Sequence, residues 1–403
     1  MSITSFLEKL LDGVEVEWMP LGAVAEYSKA RIDCKAVDKE NYVGVDNLLQ
    51  NRAGKTHSDY VPTEGRLIEY RIGDVLIGNI RPYLKKSWLA DRAGGTNGDV
   101  LVIRPTHSAL SSGYLHQLLT YDNFFLYNMQ HSKGAKMPRG NKDKIMEYVV
   151  PVPCPKNFKK SLEIQAEIVC ILDTFTELTA ELTAELTARK KQYNHYRDRL
   201  LSFEEGEAEW KTLDCVCASI TAGGDVPDNC AKGQTHPTSE FPYPIFANAT
   251  GDNGLYGFAD GYKIDSDAVT ISARGAKVGY HTVREAKFTP IIRLIVLVPD
   301  KSLIITKYLN YALDMTPIGG DKGGIPQLTV PTVKKITVPI PYASDPERSL
   351  AEQERIVSIL DKFDTLSTSV SEGLPREIAL RQKQYAYYRD LLLSFPKPEE
   401  AAA

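Results

Sequence analysis

The chain has 403 residues, 43% of them hydrophobic, with 48 basic against 52 acidic residues and a formal net charge of −4. That length predicts two or more domains with real cores, and the acidic balance excludes a protein that coats DNA unaided, because nonspecific affinity scales with the phosphates neutralised. No apolar run is long enough to span a bilayer and no charged segment followed by an apolar one opens the chain, so the expectation is a soluble cytoplasmic protein without a membrane partner.

In chain order, positions 18–153 are rich in Gly, Pro and short β-branched runs such as RIGDVLIGNIRP (71–82) and DVLVIRP (99–105), the signature of a mixed α/β globular domain. Asn79, Arg81, Tyr83 and Lys85 follow the strand-like part of the first run. The loop HSKGAKMPRGNKDK (131–144) then carries five Lys or Arg against one Asp. Lys133, Lys136, Arg139 and Lys142 are its candidate nucleic-acid contacts, and Gly134 and Gly140 allow the backbone close to a ligand.

Positions 161–203 contain almost no Gly or Pro and read as one long helix. Ile164, Ile168, Ile171, Phe175, Leu178 and Leu182 step by four and three, a coiled-coil seam. The run ELTAELTAELTA (177–188) places Leu186 four residues past Leu182, a stutter that locally unwinds the supercoil. Arg189, Tyr193, Tyr196, Leu200 and Phe203 resume the seam.

Positions 210–341 return to the first composition, with AVTISARG (268–275) and IIRLIVLVP (291–299). Arg274, Lys277, Tyr280 and His281 follow one strand, and the loop region GGDKGGIPQLTVPTVKK (319–335) holds Lys322 and Gln327. Basic and amide side chains beside tyrosine on loops suit phosphate positioning and base-edge readout. The last segment, 350–395, is helical through Ile356, Leu360 and Phe363, then Tyr385, Tyr388, Leu392 and Phe395. Gly373 and Pro375 should kink or break it.

The chain repeats itself. RKKQYNHYRDRLLSF (189–203) and RQKQYAYYRDLLLSF (381–395) share 11 of 15 positions, 192 residues apart. LVIRP ending at Pro105 reappears as IVLVP ending at Pro299, 194 on, and QAEIVCILDTF (165–175) as QERIVSILDKF (353–363), 188 on. Each repeat is a whole domain plus a connector. The connectors differ: Phe175 to Arg189 is 14 residues and Phe363 to Arg381 is 18. The natural partner of each seam is the other, an antiparallel pair, and the tyrosine face left over, Tyr193, Tyr196, Arg197, Tyr385, Tyr388 and Arg389, is expected to dock another protein.

Catalytic constellations are lacking. The sequence has no phosphate-binding G-x-x-x-x-G-K-[ST], no G-x-G-x-x-G, no H-E-x-x-H, no G-x-S-x-G and no amino-methyltransferase motif. GGDKGG (319–324) lacks the following Lys-Ser/Thr, and the six cysteines follow no zinc spacing, as expected of reduced structural thiols. Neither catalysis nor a bound metal is expected.

Two variable halves, each followed by Q-x-x-I-V-x-I-L-D-x-F and R-x-K-Q-Y-x-x-Y-R-D-x-L-L-S-F, resemble the specificity subunit of type I restriction-modification enzymes. The TAEL-type units (Thr179 to Leu182, Thr183 to Leu186) point to its type IC subfamily. The resemblance implies a mixed α/β (α+β) fold of two globular target recognition domains separated by two long antiparallel coiled-coil helices, with an internal pseudo-two-fold repeat. The expected boundaries are 1–160 for the first recognition domain, with a short N-terminal helix, 161–205 for the central spacer, 206–349 for the second domain and 350–403 for the C-terminal spacer.

The resemblance further implies double-stranded DNA as ligand, read as a bipartite asymmetric site, and two methyltransferase subunits as partners, with restriction subunits joining through them. S-adenosylmethionine, ATP and Mg²⁺ belong to those partners. The family's K-G-x-x-P loop falls on Lys133, Gly134 and Pro138, one residue longer than its counterpart at Lys322, Gly323, Gly324 and Pro326. Two other readings stay open: a stand-alone DNA-binding regulator, and a coiled-coil scaffold that binds no DNA.

Overall fold

In the computed structural model the described residues are 9–11, 13–248, 254–275, 278–316, 318, 327–368 and 373–395. The chain divides into two units, Met1–Glu181 with Ile378–Ala403, and Leu182–Glu377. Each unit thus contains one globular domain, one half of the central helix and part of the C-terminal helical segment.

In the first unit a four-stranded antiparallel sheet runs in the order Ala25–Tyr27, Val100–Pro105, Val75–Gly78 and Ser87–Leu89. Its inner strands, VLVIRP and VLIG, are continuous apolar runs because both faces are covered, and Val75 to Gly78 are all buried. A second sheet runs Arg31–Asp33, Arg66–Tyr70, Gly94–Thr96, Tyr42–Val43. Val16–Pro20 pairs with Val149–Pro153 in a separate ribbon, Trp18 opposite Pro151. Prolines are tolerated there because a two-stranded ribbon has only edges.

The second unit repeats the first sheet and the ribbon. Cys217–Ala222, Ile295–Pro299, Ala268–Ile271 and His281–Arg284 form the sheet, and Val269 faces Leu297 as Val75 faces Ile103. Ala208–Thr212 pairs with Thr337–Pro341, Trp210 opposite Pro339. The other sheet differs. Its order is Cys230–Lys232, Leu255–Ala259, Tyr243–Phe246, Thr289–Pro290, so the strand equivalent to Tyr42–Val43 lies second from the edge rather than at it.

The central helix spans Phe158–Leu200, 43 residues without Gly or Pro. Ile164, Ile168 and Leu172 are buried in the first unit's core, while Ile171 and Phe175 are half-buried. The apolar seam therefore splits into two stripes, one on the globular domain and one on the partner helix; Leu172 belongs to the stripe that heptad spacing alone does not mark. Thr174, Thr176 and Thr187 donate to carbonyls four residues back, which satisfies their hydroxyls within the helix. The C-terminal segment forms two helices, Pro346–Thr368 and Gly373–Leu392. Gly373 has φ +78, and a Cβ there would lie 2.6 Å from the Thr365 carbonyl oxygen, so only glycine fits this break.

The helices pair within each unit through repeat-related contacts. Phe175 stacks on Tyr388 at 5.1 Å in the first unit, and Tyr196 on Phe363 at 5.2 Å in the second. Since Phe363 and Tyr388 are the repeat images of Phe175 and Tyr196, the same helix-to-helix contact recurs in each unit. Leu392, Leu393 and Phe395 complete the first core; their counterpart Leu201, with Leu200 and Phe203, packs into the second.

One buried glutamine fixes each helix to its domain. Gln165 accepts from the Ser111 N–H at 2.8 Å and donates to the Ala109 carbonyl at 2.6 Å and to Ser161 Oγ at 2.9 Å. Gln353 accepts from the Ile305 N–H at 2.9 Å and donates to the Leu303 carbonyl at 3.0 Å and to Ser349 Oγ at 3.1 Å. Nearby, the Tyr114 hydroxyl donates to the Pro151 carbonyl and that of Tyr308 to the Pro339 carbonyl.

Candidate nucleic-acid interface

The two basic segments of the first domain meet. Beyond the buried strand Val75–Gly78, Ile80 forms a β-bridge with Arg139, and the Arg81 N–H donates to the Pro138 carbonyl at 2.7 Å. Lys133 and Arg139 exchange backbone hydrogen bonds of 2.9 and 2.8 Å, closing a loop in which Gly134 has φ +97. Within that loop Gly134 to Met137 are exposed, while Pro138 is buried. Asn141 caps the short helix that follows, Lys142–Glu147, and Lys142 is exposed at its start.

The second domain has the same junction. Arg274 bridges to Gln327, and these positions lie 194 past Ile80 and 188 past Arg139, the offsets of the strand and loop repeats. Arg274 and Tyr280 are exposed. Lys277 and Lys322, with Gly323, Gly324 and Pro326 of the carried-over motif, lie outside the described residues.

Three of the residues read from sequence as DNA contacts are not placed for that role. Asn79 is 5% exposed, and its backbone holds the loop instead, donating to Asp99 and accepting from Gly140. Lys85 donates to Asp122 at 2.5 Å. His281 hydrogen-bonds Asn310 at 3.0 Å and lies 3.4 Å from Asp314. Asn79 directly follows a buried strand, Lys85 caps the short helix Pro82–Leu84, and His281 opens the strand His281–Arg284, so each side chain is tied to its own unit. Arg81, at φ +52, and Tyr83, half exposed, do project from their turn.

Helix residues expected to dock a partner are partly committed inside their own units. Arg389 is only 4% exposed; it donates to Asp122 at 2.9 Å and lies over the Tyr121 and Tyr385 rings. Asp122 also pairs with Arg52 and Lys85. Burial alone would raise this carboxyl, but the Lys85 hydrogen bond and the charges of Arg52 and Arg389 hold it at about 2. Arg197 lies over Tyr193, whose hydroxyl is pushed up to about 12 by burial, with the nearby Asp314 and Asp364 adding to it. Tyr388 and Tyr196 stack on the partner helix as described. The outward positions on the same turns are Tyr387 and its repeat counterpart His195, which the seam analysis missed because they sit one residue off it.

Among the described residues, no cluster of three His, Cys, Asp or Glu side chains could hold a metal ion, and no helix is long and apolar enough to cross a membrane. Residues 229–380 match the family model for the type I restriction modification DNA specificity domain. The chain is 34% identical to the EcoR124I/EcoR124II specificity subunit of Escherichia coli, over 99% of both chains. It is 31% identical to a putative type I specificity subunit of Haemophilus influenzae, over 97% of this chain and 98% of that one. The solved S subunit from M. genitalium superposes with a TM-score of 0.59 over 96% of this chain and 98% of its own, at 13% identity, showing the shared fold. The near full-length match to the two curated relatives, across both units and both helical repeats, shows that this chain belongs to the family of type I restriction enzyme specificity subunits.

Proposed function

We propose that the chain reads a bipartite, asymmetric DNA site, one half with each globular domain, and docks two methyltransferase subunits, through which restriction subunits join. As a specificity subunit it is not the catalyst; S-adenosylmethionine, ATP and Mg²⁺ act in the partners. The observation that carries the reading is the recurrence of one junction, an antiparallel bridge just past a buried strand (Ile80 to Arg139, Arg274 to Gln327), at repeat-equivalent places in two domains whose sequences differ there. Equivalent placement gives each domain the same approach to DNA, and differing side chains give it a different sequence to read. Exposed Lys133 and Lys136 suit phosphate contacts, and the duplicated helix faces, with Tyr387 and His195 outermost, suit two equivalent partners.

The test is DNA retention by the assembled complex carrying Lys133→Ala and Lys136→Ala. Binding should weaken across all sequences, with a shallower salt dependence. Unchanged binding would favour a scaffold without DNA contacts, and tight sequence-specific binding by the purified chain alone would favour a stand-alone regulator. Native mass of the saturated complex should give two methyltransferase subunits per chain, and a 1:1 complex would contradict the docking model.

A further inference from the structure

We infer that Arg139 and Arg274 are the base-reading arginines of the two domains, each taking the O6 and N7 edge of one guanine, and that they reach it from opposite strands of one equivalent junction. The inference rests on the DNA-reading function proposed above. Ile80 faces Arg139 in the first domain and Arg274 faces Gln327 in the second. In the repeat register Ile80 corresponds to Arg274 and Arg139 to Gln327, so each junction holds one arginine, exchanged between its two strands. Directly opposed residues of an antiparallel pair project from the same face; both arginines therefore leave the same side of the junction.

Each arginine is also held. Arg139 Nη1 donates to Asp99 Oδ1 at 2.8 Å. Asp99 is itself fixed by the turn, its N–H donating to Asn97 Oδ1 and its carbonyl accepting from Asn79. Arg274 donates through Nε and Nη2 to Gln327 Oε1 at 3.2 and 2.8 Å. The residue in the place of Asp99, 194 positions on, is Arg293, a cation that cannot orient another arginine; Gln327 supplies the acceptor instead. Both arginines stay exposed. An oriented guanidinium with donors to spare is the group that pairs bidentately with guanine, the commonest specific contact in the major groove. Lys133 and Lys136, whose side chains bond to no described residue, lack that orientation and suit phosphates, which need none.

The experiment is methylation-motif mapping of the complex, assembled with its methyltransferase subunits on a plasmid library with randomised half-sites. It compares the wild type with Arg139→Ala, Arg274→Ala, the two lysine variants and Gln327→Ala. Each arginine variant should lose roughly ten- to a hundredfold of its preference at one G·C pair, the two affected pairs lying in different half-sites. Lysine variants keep the charge but lose the fork, so they should stay active while relaxing the same pair. Gln327→Ala should relax the Arg274 position more weakly. An unchanged motif, relaxation at an A·T pair or in one shared half-site, or uniform weakening with every base retained would overturn the assignment. A wild-type complex without a split motif would instead remove the functional reading beneath it.

Discussion

The two units keep one set of contacts and abandon another. The main sheet, the ribbon, the tyrosine beneath it and the buried glutamine that ties helix to domain occur in both, with hydrogen bonds to the same backbone positions. The second sheet has a different strand order, and the charges beside the helices differ: Asp122 gathers Arg52, Lys85 and Arg389 in the first unit, whereas His281 and Asp314 face Tyr193 and Arg197 in the second. The preserved joint is built on main-chain groups and is indifferent to side-chain change. The domains have therefore been able to diverge in what they present while remaining attached in the same way.

The largest expected break of this comparison is Asp122→Ala. It removes the carboxylate shared by Arg52, Lys85 and buried Arg389, leaving Arg389 only the looser Asp390 at 3.6 Å, and should destabilise the first unit by about 3 kcal/mol. Asp314→Ala should cost under about 1 kcal/mol, because burial already holds this carboxyl above its ordinary range, with His281 and Arg197 only partly compensating. Unit-resolved hydrogen exchange checks both, and equal losses would contradict the contrast.

The same contrast has a pH signature. Asp122 is held below its ordinary value, so its contribution is complete above the normal carboxylate pKa of about 4 and is lost as pH falls toward about 2. Asp314 is raised, so its contribution is present below that normal value and is lost as pH rises through its elevated one. The gap in urea midpoint between wild type and Asp122→Asn should therefore close on acidification from pH 4 to 2, and a constant gap would contradict this.

Next in size are Gln165→Ala and Gln353→Ala. Each strands a backbone N–H and a backbone carbonyl in a buried joint, for about 2 kcal/mol. The two losses, read from denaturant unfolding, should agree within about 0.5 kcal/mol, and a clear inequality would show that the joints are not equivalent. The smallest effect on stability belongs to one extra TAEL unit inserted after Leu186. Four residues lengthen a helix by about 6 Å, and the gap between half-sites should grow by about one base pair with both half-sites unchanged. An unchanged gap in the methylation motif would sink the idea that this helix measures distance.

Much of the architecture was legible because it is periodic or repeated. The 11 identities in 15 positions announced the duplication, and the absence of Gly and Pro marked the central helix. Gly373 and Pro375 marked the break. What sequence could not show was which stripe of that helix met the domain, because Leu172 is as apolar as its neighbours and only the docked sheet selects it. The site was half legible. Composition pointed to the basic loop of the first domain, but the commitment of Asn79, Lys85 and His281 to partners in their own units depends on tertiary placement. The pairing of Arg274 with Gln327 depends on a bridge across 53 residues of chain.

Whole-genome methylation mapping in cells holding the methyltransferase subunits, with and without this chain, tests the central claim most directly. The account predicts one chain-dependent motif made of two unlike half-sites separated by unspecified bases. A continuous or palindromic motif, or no motif that depends on the chain, would contradict it.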